Sequence, residues 1–175
     1  MIAKAALHRL DLDQVWLMVT PGNPLKTAIA PLAQRLESAA AIADGRRIVT
    51  TAIESKLGTL YTRDTLRRLQ TAFPRARFIW LTGADNFVDL PRWRDWKGIL
   101  SHIPFAIFPR PGSRFAGTGG KPAHRFAHAR LPGRVAKTLA CAEAPAWMVI
   151  TLREDATSST AIRAQSPLGK CATPR

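Results

Sequence analysis

A chain of 175 residues with 46% hydrophobic composition has the length and the apolar content for one domain with a real core. No apolar run approaches membrane-spanning length, and the start, Met1-Ile2-Ala3-Lys4, lacks the pattern of a secretory signal, so a cytoplasmic location is expected. Twenty-six basic against 12 acidic residues give a net charge of +14, which attracts polyanions, nucleotide phosphate or nucleic acid among them.

The basic residues are dispersed, and no aromatic-basic interleaving of the single-strand-binding kind occurs, so no specific nucleic-acid partner is expected. The two cysteines, Cys141 and Cys171, have neither metal-site spacing nor a disulfide framework.

In chain order, Ile2, Ala5, Ala6 and Leu10 follow helical spacing, and residues 15–19 form a short apolar run of the kind that makes a strand covered on both faces. Thr20-Pro21-Gly22-Asn23-Pro24-Leu25-Lys26 reads as a loop. Leu32, Leu36, Ala39, Ala40 and Ala43 mark a second helix, stopped at Asp44-Gly45. Residues 48–53 read as a strand. Thr62 is placed to cap a helix carrying Leu66, Leu69 and Phe73, which ends at Pro74. Residues 78–81 read as a buried strand leaving through Thr82-Gly83-Ala84-Asp85-Asn86.

A polar stretch with Trp93 and Trp96 follows, then a strand at 105–108 that leaves through Pro109-Arg110-Pro111-Gly112. Residues 113–145, rich in Gly, Pro, Arg and His, read as a mobile insertion with one short helix near 135–140. The apolar run 147–152 is a final strand, and Thr157-Ser158-Ser159-Thr160-Ala161-Ile162-Arg163 turns into a helix start. Residues 1–165 are expected to form the domain and 166–175 a disordered tail.

The alternation of strands and helices predicts an α/β fold, a mainly parallel sheet with helices on both faces. Ligands of such sheets bind beyond the carboxyl ends of the strands, where the informative loops lie. Lys26 can reach a phosphate there or lie solvated. Tyr61 and Thr62 head a helix whose free N–H groups either hold a ligand or are simply capped. Gly83 permits close backbone approach, and Asp85 can accept from sugar hydroxyls. Trp93 offers a flat face for a heterocycle, whereas Trp96 reads as core. Ser158, Ser159, Thr160 and Arg163 gather hydroxyls, backbone N–H groups and a cation at a helix start, which suits phosphate. His124 and His128 read as solvated.

Together, Thr20 through Lys26, Tyr61-Thr62-Arg63-Asp64-Thr65-Leu66, Gly83-Ala84-Asp85-Asn86 with Trp93 and Trp96, Pro109 through Gly112, and Ser158 through Arg163 resemble bacterial nicotinate-nucleotide adenylyltransferase, in order over about residues 2–165. The resemblance implies a Rossmann-like nucleotidyltransferase fold and adenylyl transfer from ATP to nicotinate mononucleotide, giving nicotinate adenine dinucleotide and pyrophosphate in NAD synthesis, with magnesium (Mg2+). It further implies that Tyr61, Thr62 and Trp93 line the nicotinate pocket, with Lys26 near the phosphates. Gly83 and Asp85 then hold the adenylate-side ribose, and Ser158, Ser159, Thr160 and Arg163 meet ATP.

Rival readings are an adenylyltransferase for nicotinamide mononucleotide or phosphopantetheine, and a non-catalytic basic RNA-binding module. The family's opening strand and its Gly-Gly-Ser/Thr-Phe-Asp/Asn-Pro-x-His-x-Gly-His motif have no counterpart in the sequence, so no catalytic residue is assigned. A start placed about twenty residues too late is the preferred explanation over a truncated relic. Because that strand belongs at the sheet's centre, two neighbours are expected to lack ladder hydrogen bonds, and the 175 residues alone are predicted to be unstable and close to inactive.

Overall fold

The computed structural model describes residues 2–22, 30–109 and 119–151. Helix α1, Ile2–Arg9, is built from good helix formers and buries Ala6 and Leu7, with Leu10 beneath its end. Asp11 ends it with a positive φ of 53°, a left-handed conformation that Asp tolerates. Strand β1, Val15–Met18, runs parallel to β2, Ile48–Thr51, with Val15 opposite Ile48 and Met18 opposite Thr51. Helix α2, Leu32–Ala40, connects them with no fully buried residue of its own. The turn into β2 is shaped by Asp44, whose Oδ1 accepts N–H bonds from Ile48, Arg46 and Arg47 at 2.7, 2.9 and 2.8 Å. Those donors, Ile48 foremost, hold its carboxyl below the usual carboxylate range.

A second parallel sheet holds β3, Trp80–Gly83, β4, Phe105–Phe108, and β5, Trp147–Val149, in the order β3-β4-β5. Among the described residues β1 and β3 each pair on one side only, so the two sheets share no ladder. They are joined through side chains. One buried cluster contains Ala6, Leu7 and Leu10 of the first helix, Val15 and Ile48 of one sheet, and Ala106, Phe108 and Met148 of the other. Burying a leucine such as Leu10 contributes about 1.5–3 kcal/mol. Trp16 also meets Phe73 and Phe78 edge-on at 5.5 and 6.0 Å.

The opposite face of the three-stranded sheet carries a second cluster, including Phe87, Leu90, Ile99, Leu100, Phe105, Ile107 and Trp147. It is covered by α4, Thr62–Ala72, α5, Ala84–Asp89, α6, Trp96–Leu100, and α7, Lys121–Arg125. Strand β4, apolar throughout and wholly buried, is the sheet's middle strand, as its continuous Phe-Ala-Ile-Phe run requires.

Four sequence expectations are corrected. The strand expected over 48–53 stops at Thr51, because its ladder with β1 ends where Val19 donates to the Thr51 carbonyl at 2.9 Å, and α3, Ile53–Leu57, follows. The strand expected from 78 begins at Trp80, whose N–H bonds Pro104 O at 2.8 Å. Thr62 is the first helical residue rather than the cap; Tyr61 occupies the cap position and gives no side-chain cap. Finally, the described part of the supposed mobile insertion is built into the core. The helix Lys121–Arg125 and 3₁₀ turns at Ala127–Ala129 and Gly133–Cys141 deliver Ala123, Phe126, Ala129, Ala136 and Leu139 to the two clusters.

Candidate active site

Of the candidate residues, Tyr61, Thr62 and Trp93 belong to two segments that meet at the start of α4. Upstream, a buried polar chain fixes that start. Glu54 is 6% exposed, and Thr65 donates to its Oε1 at 3.1 Å. Thr59 Oγ1 lies 2.8 Å from Thr65 Oγ1, where either hydroxyl can donate, and Thr65 Oγ1 also reaches the Tyr61 carbonyl at 3.2 Å. The Thr59 N–H also bonds the Glu54 carbonyl at 3.0 Å, and Gly58, at φ 61°, makes the left-handed turn between them. The result is a rigid bend that delivers Tyr61 and Thr62 to the helix start.

The loop after β1 approaches the same bend. A Cβ on Gly22 would stand 3.4 Å from Leu60 Cδ1. Arg35 holds this loop by donating to the Thr20 carbonyl at 2.7 Å.

From the other side comes the segment after α5. A 3₁₀ turn, Leu90–Arg92, leads to half-buried Trp93, whose ring stands edge-on to Trp80 at 6.1 Å and 87°. Trp96, also half-buried, packs edge-on against Phe126 at 6.1 Å, and both tryptophans lie against the same buried cluster. Two contacts tie this segment to the α4 start. Arg94 lies over the Tyr61 ring at 4.8 Å, and Arg63 forms an ion pair with Asp95. These contacts set the segment 61–63 against the segment 93–95.

Gly83 and Asp85 lie at the end of β3 and the start of α5, whereas Trp93 reaches the strand at Trp80, its first residue. A Cβ on Gly83 would land on Asp85 Oδ1, so glycine there lets the carboxylate fold back beside the strand end. Lys26, Ser158, Ser159, Thr160 and Arg163, with residues 110–112, lie outside the described residues.

His102 lies beside this cluster. Burial, then the charges of Arg63 and Arg67, push its pKa below the usual histidine value. Its Nε2 and the Nε of Arg63 are buried and have no hydrogen-bond partner among the described residues. No group of three or more His, Cys, Asp or Glu that could hold a metal ion occurs among the described residues. His124 and His128 are exposed. Sequence reading did not pick out Glu54, Arg94 or the Arg63–Asp95 pair as site-shaping groups; opposite charges inside two adjacent motifs were the available signal.

Parallel strands packed against helices define an α/β protein of the kind whose ligands bind beyond the carboxyl ends of the strands. A cytidylyltransferase-like family model matches residues 1–165, which makes the class that of the nucleotidyltransferases. A protein of Gluconacetobacter diazotrophicus named probable nicotinate-nucleotide adenylyltransferase is 47% identical over 167 residues, 94% of this chain and 78% of its own length. One of the same name from Gluconobacter oxydans is 46% identical over 165 residues, 93% of this chain and 85% of its length. A Plasmodium falciparum nicotinic acid mononucleotide adenylyltransferase, solved in complex with APC, shares the fold with a TM-score of 0.50 at 15% identity, covering 89% of this chain and 71% of that one. The chain belongs to the nicotinate-nucleotide adenylyltransferase family.

No helix among the described residues is long and apolar enough to cross a membrane.

Proposed function

We propose that this chain transfers the adenylyl group of ATP to nicotinate mononucleotide, yielding nicotinate adenine dinucleotide and pyrophosphate. One observation supports this above others: the segment carrying Tyr61 and Thr62 meets the segment carrying Trp93 through the Arg94–Tyr61 and Arg63–Asp95 contacts, although about thirty residues separate them in sequence, and both belong to the stretches that resemble the family. A phosphate oxygen of the mononucleotide attacks the α-phosphorus of ATP in line. The new P–O bond forms as the bond from that phosphorus to the bridging oxygen breaks, and the electron pair leaves with pyrophosphate. No protein nucleophile takes part. Catalysis is positioning and charge neutralisation.

In this reading Trp93 stacks on the pyridine ring, and the free N–H groups at the start of α4 meet the nicotinate carboxylate beside Thr62. Gly83 and Asp85 take the adenylate-side ribose, and Lys26, Ser158, Ser159, Thr160 and Arg163 take phosphates. Magnesium commonly keeps several waters and binds through substrate phosphates, so it would arrive on ATP, and no step is routed through it.

The experiment compares pyrophosphate release from ATP with nicotinate mononucleotide, nicotinamide mononucleotide or phosphopantetheine as acceptor. The expected result is release that needs both substrates and prefers the nicotinate form. The amide should fare worse because an imperfectly paired buried polar group costs roughly 1–3 kcal/mol. The ratio between acceptors decides, so a low absolute rate does not obscure it. Equal use of both mononucleotides, or preference for another acceptor, would overturn the proposal.

A further inference from the structure

The Arg63–Asp95 pair joins two segments of the candidate site through one carboxylate, and Asp95 uses both of its oxygens. Its Oδ1 accepts the Gly98 N–H at 3.2 Å, capping α6, while Oδ2 pairs with Arg63 in the first turn of α4. A single carboxylate thus ties together the starts of two helices that pack on each other. The backbone of Asp95 suits this double role, with a φ of 51° in the left-handed region that Asp and Asn tolerate best among residues with a Cβ.

Gly98 completes the arrangement. A Cβ there would collide with Arg63 Nη1 and with Asp95 Oδ2, so only glycine leaves room for the pair. Close by on the same two segments, Arg94 lies over Tyr61 at 4.8 Å. The link is therefore reciprocal, since each segment contributes one arginine and each receives one.

We propose that Arg63 and Asp95 are positioning residues that fix the spacing between the Tyr61-Thr62 helix start and Trp93, and through it the affinity for the mononucleotide. This rests on the reading that Tyr61, Thr62 and Trp93 line the mononucleotide subsite. The pair's side chains are 30% and 47% exposed, a setting in which an ion pair adds little to global stability. Its consequence is geometric: it joins residues adjacent to Thr62 on one side and two positions from Trp93 on the other. Small displacements of groups that hold a substrate have large effects on its use.

The test is a double-mutant cycle in the full chain with Asp95→Asn, Arg63→Gln and the two combined. Asn keeps both the cap and the left-handed backbone and removes only the charge. Each single variant is expected to raise KM for nicotinate mononucleotide by about tenfold, with KM for ATP and kcat within about twofold of the starting values. The combined variant should be no worse than either single one, since one interaction is lost in all three. Arg63→Lys should restore part of the loss. Unchanged KM for the mononucleotide, a parallel rise in both KM values, or additive losses would overturn the proposal.

Amide hydrogen exchange supplies a readout independent of turnover. In Asp95→Asn, exchange at the start of α4 and in residues 93–95 should accelerate together; acceleration confined to α6 would also overturn it. Failure of the unaltered chain to prefer nicotinate mononucleotide counts against the proposed function alone, because the exchange result stands without it.

Discussion

Thr65, with no exposed surface, donates its hydroxyl hydrogen to Glu54, a carboxylate drawn into the protein without a cationic partner among the described residues. Thr59 supports Thr65 in turn. Buried carboxylates are tolerated when hydrogen bonds replace the water they have lost. Thr65→Val keeps the shape and removes the donor, leaving Glu54 and Thr59 each short of a partner. The expected outcome is a loss of about 1–3 kcal/mol, measured by the midpoint of urea unfolding. A midpoint unchanged from that of the unaltered chain would show that these hydroxyls do not hold the bend.

Trp93 is half-buried, with its ring edge-on to Trp80. Trp93→Ala should weaken use of nicotinate mononucleotide far more than ATP binding, as separate KM determinations would reveal. Equal loss of both would remove Trp93 from the mononucleotide side. Some instability is expected as well, about 0.5–1.5 kcal/mol for the lost aromatic pair beyond its buried area.

Gly83→Ala tests the other half of the site. The added Cβ falls on Asp85 Oδ1, so the carboxylate must rotate away from the end of β3. KM for ATP is expected to rise while KM for the mononucleotide stays nearly constant. The reverse pattern would argue that Gly83 and Asp85 serve the mononucleotide instead.

His102 gives a pH prediction with a definite sign. Burial first, and Arg63 and Arg67 second, lower its folded-state pKa below the ordinary histidine value of 6.5. The unfolded chain therefore binds the proton more readily. The stability carried by neutral His102 is complete above pH 6.5 and is lost as pH falls through that value toward the lowered folded pKa. Thermal midpoints recorded downward from neutral pH should fall, and His102→Gln should flatten that part of the profile. An identical slope in the variant would exclude His102 as its source.

Much of the architecture was legible because strands covered on both faces are apolar throughout, as 105–108 and 147–149 are; 15–18 is apolar too, although only Val15 in it is fully buried. The β-branched stretch 48–53 misled, because its pairing with β1 ends at Thr51 and Ile53 opens a helix. Composition misled more strongly in 119–145. Gly, Pro and Arg there mark surface loops, yet Ala123, Phe126 and Ala129, spaced three apart, all enter the core. Short 3₁₀ turns repeat every three residues, too few to register as a helical stripe.

The sequence by itself determined the α/β class, most of the strands, the family, and the segments from which the candidate site is made. Each is written in local pattern: runs of apolar residues, turn residues between them, and motifs a few residues long. Packing in three dimensions is what sets Tyr61-Thr62-Arg63 against Trp93-Arg94-Asp95. An ion pair between positions 63 and 95 depends on how α4 packs on α6, and Gly98 is needed only because that packing leaves no space for a side chain. Coulomb attraction depends on separation in space, and local pattern carries no record of separations across more than thirty residues.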